Sequence, residues 1–134
     1  MSIPVSLEGL RTAVAERGGG AYLLTVADDV RPHAVHVALG WEGDRLVTEV
    51  GAASARNVAA RPAVSLLYPA AEPGGYSLIV DGTAVVAPGE GKRRVSVAPT
   101  KAVLHRPAAT PDPTAACADD CRHVFGVTRG RSMG

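Results

Sequence analysis

A short run of polar residues directly after a strand-like segment is the first sign of possible chemistry in this sequence. Ser54, Arg56 and Asn57 follow Gly51, where the apolar run of residues 45–50 gives way to a helical pattern. Helix N-termini present unpaired N–H groups and the positive end of the helix dipole, so this junction could bind an anion. Ser54 is also a good helix N-cap whether or not an anion is bound. These residues alone leave both interpretations open.

A second sign lies in the preceding run, residues 32–39, where side chains alternate between two faces of a predicted strand. The bulky face carries His33, Val35, Val37 and Leu39, and the shallow face carries Ala34, His36 and Ala38. The shallow face leaves room for a backbone or a flat ligand. His36 is the titratable side chain there, so it could bind a ligand or move a proton. The alternative is a half-exposed strand histidine that meets a partner subunit.

A third group has the residue types of a metal site. Cys117, Cys121 and His123 lie close together in the sequence, with His105 upstream. The spacing lacks a matching second pair, so we predict no metal site. A thiol pair that oxidises easily is a second interpretation. We favour a third, in which two small buried residues fasten the C-terminal segment.

Composition limits the classes of protein to consider. The chain has 134 residues, 46% hydrophobic and only 4% aromatic, which indicates one domain with a core of Val, Ala and Leu. A formal net charge of +1 gives no electrostatic reason to expect a nucleic-acid or anionic-membrane partner. No apolar run is long enough to span a bilayer, and the N-terminus lacks the pattern of a signal peptide. We therefore expect a cytoplasmic protein.

The elements that would position these residues follow from periodicity and turn signals. Ser6 is expected to cap a helix that reaches about Arg17, and a short helix is expected to begin at Ser54. Strands are predicted over residues 21–27, 32–39, 45–50, 63–68, 76–87 and 93–104. Gly82 indicates a bulge or bend, and Pro99 indicates a strand edge or bulge. The hairpin turn is placed at residues 42–44.

This pattern predicts a mainly β fold: a six-stranded antiparallel split barrel of Greek-key type with one N-terminal helix and one short helix after the third strand. One domain would cover residues 1–134. Within it, residues 1–20 would hold the helix, residues 21–105 the barrel, and residues 106–134 a Pro-rich C-terminal arm.

Several ordered motifs resemble the pyridoxamine 5'-phosphate oxidase-like split-barrel flavoproteins, a superfamily with actinobacterial members that use the deazaflavin coenzyme F-420. The resemblance is carried by YLLTV at residues 22–26, RPHAVHV at 31–37, LVTEVG at 46–51, RNV at 56–58 and RPAVSL at 61–66. It covers about residues 21–104. The resemblance implies a homodimer with FMN or coenzyme F-420 in the groove between subunits.

The resemblance also assigns roles by position. The second strand would run along the flavin ring, and the end of the third strand with the following helix would hold the phosphate. The implied ring residues are Val35, His36 and Val37, with His36 as the candidate catalytic residue. The implied residues around the phosphate and ribityl chain are Thr48, Glu49, Ser54, Arg56 and Asn57, with Arg31 as a further cofactor contact.

Three positions depart from the family pattern. The oxidases proper place an Arg where this chain has Val35, and an Arg-Lys pair where it has Ala53 and Ser54. Phosphate loses its strongest charge-assisted partners when these residues are absent. Substitutes could come from Arg31, Arg56, Arg93 or Arg94, and from the helix N–H groups. The departures weigh against a vitamin B6 oxidase.

The sequence therefore favours a flavin- or deazaflavin-dependent oxidoreductase acting on an unidentified small molecule. The first alternative is a non-redox binding module on the same barrel, holding haem or another planar ligand, with His36 or His105 as a contact. The second is a purely structural dimer.

Overall fold

Eight antiparallel strands form one curled sheet in the computed structural model, which describes residues 1–108. In chain order the elements are β1 (Ser2–Val5), α1 (Leu10–Ala15), β2 (Gly20–Val26), β3 (Pro32–Ala38), β4 (Gly40–Glu42), β5 (Arg45–Val50), α2 (Ala52–Ala60), β6 (Ala63–Tyr68), β7 (Ser77–Val86) and β8 (Arg93–His105). No helix in this part of the chain is long and apolar enough to cross a membrane.

The sheet follows the order β3, β2, β6, β7, β8, β5, β4, and β1 pairs with β8. Strand β8 pairs with β7 on one side, and on the other it pairs first with β5 and then with β1. The sheet curls until β3 approaches β5, where the Thr48 hydroxyl donates to the Ala38 carbonyl oxygen at 2.7 Å. The ladders of residues 1–108 include none between β3 and β5, so the barrel is left split.

The core fills the concave side of the sheet. Alternate residues of the strands point inward, as in β5, where Leu46, Thr48 and Val50 are buried and Arg45 and Glu49 are exposed. The helices close the core with small apolar faces. Helix α1 contributes Leu10, Ala13 and Val14, and α2 contributes Ala55 and Val58. Because the chain has few aromatic residues, its core is packed mainly with Val and Leu side chains, as predicted.

The predicted irregularities in the long strands are confirmed. The register of β7 and β8 shifts between Asp81 and Gly82. A Cβ added at Gly82 would lie 2.6 Å from the Ala98 carbonyl oxygen, so the close approach of the two backbones requires glycine. Pro99 lies between the stretches of β8 that pair with β5 and with β1. Its missing N–H therefore costs no ladder bond on that side.

The predicted strand count was wrong. Strands β1 and β4 were not expected, because each has only three or four residues and little alternation of its own. Both are defined by pairing with another strand: β1 with β8, and β4 with β5. The run predicted over residues 32–39 ends at Ala38, and Gly40 begins β4 after one intervening residue.

Both predicted helix starts were also wrong. Helix α1 begins at Leu10 with Gly9 as N-cap, because residues 6–9 form a separate turn in which Ser6 Oγ accepts from the Gly9 N–H at 3.1 Å. Helix α2 begins at Ala52 with the extended Gly51 as N-cap. Ser54 therefore lies inside the first turn of α2 and is buried.

The remaining predictions fall partly outside the described residues. Cys117, Cys121 and His123, with most of the arm predicted over residues 106–134, lie beyond residue 108. The division of the chain into helix, barrel and arm stays a prediction.

Tyr68 provides a test of the core. Its side chain is fully buried, and its hydroxyl has no hydrogen-bond partner among residues 1–108. Burial raises the pKa of Tyr68 from 10.0 to about 12. The unfolded chain then releases this proton at lower pH than the folded chain, so stability falls as pH rises from about 10 towards 12.

We expect Tyr68→Phe to raise the free energy of unfolding by about 1 kcal/mol at pH 7, because it removes an unpaired buried hydroxyl. It should also flatten the loss of stability above pH 10. Urea unfolding across this pH range measures both effects. Tyr22→Phe, at an exposed tyrosine, is the matched control and should change neither. A Phe variant less stable than the wild type would contradict the unpaired hydroxyl.

Candidate functional site

One edge of β3 is available for binding. Among residues 1–108, strand β3 pairs with β2 alone, so every second residue directs its backbone N–H and C=O away from this sheet. The Leu39 N–H donates to the Gly19 carbonyl at 2.8 Å, which fixes the odd-numbered residues as those bonded to β2. The peptide groups of Ala34, His36 and Ala38 therefore point to the open edge. Their side chains form the shallow, exposed face that was predicted.

The open edge borders a slot beside β5. The slot has a volume of about 360 Å³ and is lined by Ala38, Val47, Thr48, Glu49 and Arg94. Its inner wall is fixed by the bond between Thr48 and the Ala38 carbonyl, which uses one of the edge acceptors. The slot therefore brings together Thr48 and Glu49, two of the residues implied for the cofactor.

The slot carries charges of both signs. Glu49 and Arg94 are directly opposed in the ladder of β5 and β8. The Arg94 guanidinium forms an ion pair with Glu42 of β4. Arg94 is half-exposed, so this pair contributes little to stability. It nevertheless leaves Arg94 partly neutralised.

The start of α2 lies at the end of the slot. Thr48 and Glu49 line the slot, and Gly51, two residues after Glu49, is the N-cap of α2. No side chain among the described residues caps this helix, and its first turn has no acidic residue. The first N–H groups of α2 therefore have no anionic partner from the helix itself.

Arg93 is the cation nearest this helix start in the ladder. The register places it opposite Val50, two residues before α2 begins. Its Nε is buried and has no hydrogen-bond partner among residues 1–108. A buried guanidinium N–H without a partner beside an uncapped helix N-terminus is a favourable arrangement for an anion. Arg93 does not line the slot, but its unpaired Nε makes it a candidate contact for an anion at the start of α2.

His36 lies on the outer face beside the open edge. Its ring meets the edge of the Tyr22 ring, with centroids 5.2 Å apart and planes at 77°. A Cβ added at Gly20 would lie 3.0 Å from His36 Cε1 and Nε2, so glycine at that position leaves room for the imidazole. The imidazole is therefore positioned by two residues of β2. Sequence reasoning found His36 but missed Tyr22 and Gly20, because only the strand register brings them together.

The other implied residues form a separate group around the loop between β2 and β3. Arg31 is highly exposed and lies 3.8 Å from Asp29. Arg56 lies 3.9 Å from Asp28, which also pairs with Arg61. The contact of Arg56 with Asp28 links α2 to the loop, and neither Arg31 nor Arg56 lines the slot.

Three of the residues that the resemblance implies for the cofactor pack in the interior of the protein instead. Asn57 is buried, and its Nδ2 donates to Thr25 Oγ1 at 3.1 Å. The side chain of Val37 belongs to the core, and Val35 packs against it. The peptide groups of Val35 and Val37 are bonded to β2, so the edge positions between and beside them carry the free backbone groups.

Two relatives share most of this chain. The uncharacterized proteins Mb0449c of Mycobacterium bovis and MT0457 of Mycobacterium tuberculosis are each 44% identical over 122 residues, which covers 80% of this chain and 85% of the relative. The chain belongs to their family. No family model matches the sequence.

Three solved structures align with this chain and identify its fold. A Listeria innocua protein provisionally assigned as a pyridoxamine 5'-phosphate oxidase aligns with a TM-score of 0.62 and 20% identity, covering 74% of this chain and 98% of its own. An F420 reductase aligns with a TM-score of 0.55 and 20% identity, covering 67% and 93%. HutZ, the haem storage protein of Vibrio cholerae, aligns with a TM-score of 0.58 and 14% identity, covering 74% and 94%. The chain therefore shares the fold of these proteins, a split barrel.

The contact that sets the width of the slot in this split barrel can be tested. Thr48→Val keeps the shape of the side chain but leaves the Ala38 carbonyl without its partner. We expect the free energy of unfolding to fall by about 1 kcal/mol. Urea unfolding measures the change, and Thr83→Val, at an exposed position on β7, is the control. Equal stability of the two variants would show that the bond between β3 and β5 contributes nothing.

Proposed function

We propose that this split barrel binds a flavin-type cofactor, FMN or the deazaflavin coenzyme F-420, and acts as an oxidoreductase on a small molecule. The observation that carries the proposal is the open edge of β3, which borders a slot and leads to the start of α2 beside Arg93. A planar ring needs a flat, shallow surface with hydrogen-bonding groups. The peptide groups of Ala34 and His36 supply those groups beside small side chains.

The phosphate is assigned to Arg93 and the first N–H groups of α2. In this assignment, Arg93 and the helix N–H groups take the place of the basic residues that are missing at Val35, Ala53 and Ser54. Arg94 is a weaker candidate, because Glu42 already neutralises part of its charge. Arg31 and Arg56 are already paired with aspartates of the β2–β3 loop.

A bound flavin would supply hydride transfer at its ring. The chain's own contribution is to hold the ring against the β3 edge and to bind the phosphate. His36, fixed beside Tyr22 and Gly20, is the group placed to donate or accept a proton at an imidazole nitrogen. The likeness to an F420 reductase supports the redox class, and the substrate stays open.

A homodimer is part of the proposal, because the outer face of the sheet carries an apolar row across six strands. The cross-strand register aligns its members. They are His36, Tyr22, Leu67, Ile79, Val103 and Pro4. Tyr22 is 41% exposed, and Leu67, Ile79 and Val103 are half-buried. Such a row fits a second copy of this chain, which would also cover the ring face beside His36.

A second candidate function is haem binding without redox turnover. His36 on the outer face favours it, because an exposed imidazole beside a flat apolar row is suited to a planar metal-containing ligand. HutZ shares the fold, which supports the same class.

FMN and riboflavin together test the phosphate assignment, since they differ in the phosphate alone. We expect Arg93→Ala to weaken FMN binding by about tenfold to a hundredfold, the range of a charge-assisted hydrogen bond, and to leave riboflavin binding unchanged. Quenching of flavin fluorescence measures both affinities. Lys92→Ala removes the neighbouring exposed cation and should change neither.

Other outcomes of this titration exclude parts of the proposal. Equal weakening of FMN and riboflavin in Arg93→Ala would place the phosphate elsewhere. If the wild type binds neither flavin nor coenzyme F-420, yet haem gives an absorption shift that His36→Ala abolishes, the second candidate function replaces the first.

The dimer has its own test. The chain has a mass of 13.7 kDa, so light scattering coupled to size exclusion should give about twice that value for the wild type. Leu67→Lys places a charge in the middle of the apolar row and should give a monomer. Val85→Lys, at a 59% exposed valine outside the row, should stay dimeric. A monomeric wild type would contradict the interface.

A further inference from the structure

A second cleft, with no lining residue in common with the slot, encloses about 270 Å³. It arises where β8 changes partners. Val97 is the last residue paired with β5, and Ala102 is the first paired with β1. Ala98 and Pro99, which lie in this gap, form one wall of the cleft. The turn before α1, the start of α1 and the β4–β5 hairpin form the others.

The walls are largely apolar. Leu10 is almost fully buried, whereas Leu7 is 56% exposed. Trp41, which packs against the core from β4, contributes an aromatic surface. An exposed leucine and a tryptophan that share a cleft leave apolar surface that a ligand can cover. The cleft has the volume of about nine water molecules in the liquid. It can therefore hold a ligand of about nine non-hydrogen atoms.

Arg11 is held as part of the wall. Its guanidinium stacks on the Trp41 ring, 4.3 Å from the centroid, and Nη2 donates to the Gly43 carbonyl oxygen. Both contacts fix the position of the charge. The Arg11 side chain therefore has two partners that do not neutralise it.

Two carboxylates share the cleft with this guanidinium. Glu8 and Asp44 both line it, and within residues 1–108 neither forms an ion pair with a basic side chain. The lining therefore carries one net negative charge. Because an apolar surface lies next to two unpaired carboxylates, a ligand with an apolar body and a positive end matches both features.

We propose that this cleft is a binding site for a small organic ammonium ion. The apolar body packs between Trp41, Leu7 and Pro99, and the ammonium group is recognised by Glu8 and Asp44. This inference is independent of the flavin proposal, because the two sites share no lining residue.

Trp41 is the only tryptophan of the chain, so its fluorescence reports directly on the cleft. The probes are 2-phenylethylamine, 2-phenylethanol and phenylacetate, which pair one aromatic body with a cation, a neutral group and an anion. We expect a saturable change with 2-phenylethylamine, binding about tenfold weaker for 2-phenylethanol, and weaker still for phenylacetate.

Two charge-removing variants test the recognition. Glu8→Gln and Asp44→Asn should each weaken binding of 2-phenylethylamine by about fivefold to tenfold and leave 2-phenylethanol unchanged. Both positions are exposed, so folding should be kept, and thermal unfolding checks this. Glu90→Gln, at an exposed glutamate outside the cleft, is the matched control. Equal affinities for the three probes, tighter binding of phenylacetate, or no response to either variant would overturn the proposal.

Discussion

The pairing of β8 is the constraint on which the rest of this structure depends. One strand of thirteen residues pairs with β7 along one side and divides its other side between β5 and β1. The bulge opposite Gly82 and the proline at position 99 both lie where β8 changes from one partner to the other. The same strand places Arg93 opposite Val50. It also leaves the gap at Ala98 and Pro99 that forms one wall of the second cleft.

The split in the barrel follows from the same arrangement. Strand β5 receives its ladders from β4 and β8, so β3 approaches it without joining it. A closed barrel would use all backbone groups of β3 internally. Here Thr48 satisfies one edge carbonyl, and the backbone groups of Ala34 and His36 point to the open edge. The features that would receive a ligand are thus the backbone groups that the topology leaves unpaired, with His36 beside them on β3 and Arg93 opposite Val50, near the start of α2.

Local pattern predicted much of this fold. Strands β5 and β6 have the predicted bounds, because strict alternation of Val and Leu with polar or small residues specifies one buried face. Strands β1 and β4 were missed, because three or four residues carry too little pattern and are held by distant partners. The helix starts were misplaced for a local reason. Ser6 closes a turn of its own, and the alanine-rich start of α2 has no capping side chain.

The site was predictable only in part. Alternation identified the shallow face with His36, since that property belongs to one strand. The roles of Arg93 and Arg94 could not be separated from the sequence, because the ion pair of Arg94 with Glu42 joins two strands that are far apart in the chain. The positions of Arg31 and Arg56 likewise depend on aspartates in a loop.

The ladder between β1 and β8 joins residues 2–5 to residues 102–105, near the two ends of the described chain. A contact of such sequence separation forms only after almost all of the barrel-forming residues have left the ribosome. The loop that it closes is entropically costly, so topologies of this kind fold slowly. During synthesis, β1 therefore stays unpaired while the middle of the sheet assembles.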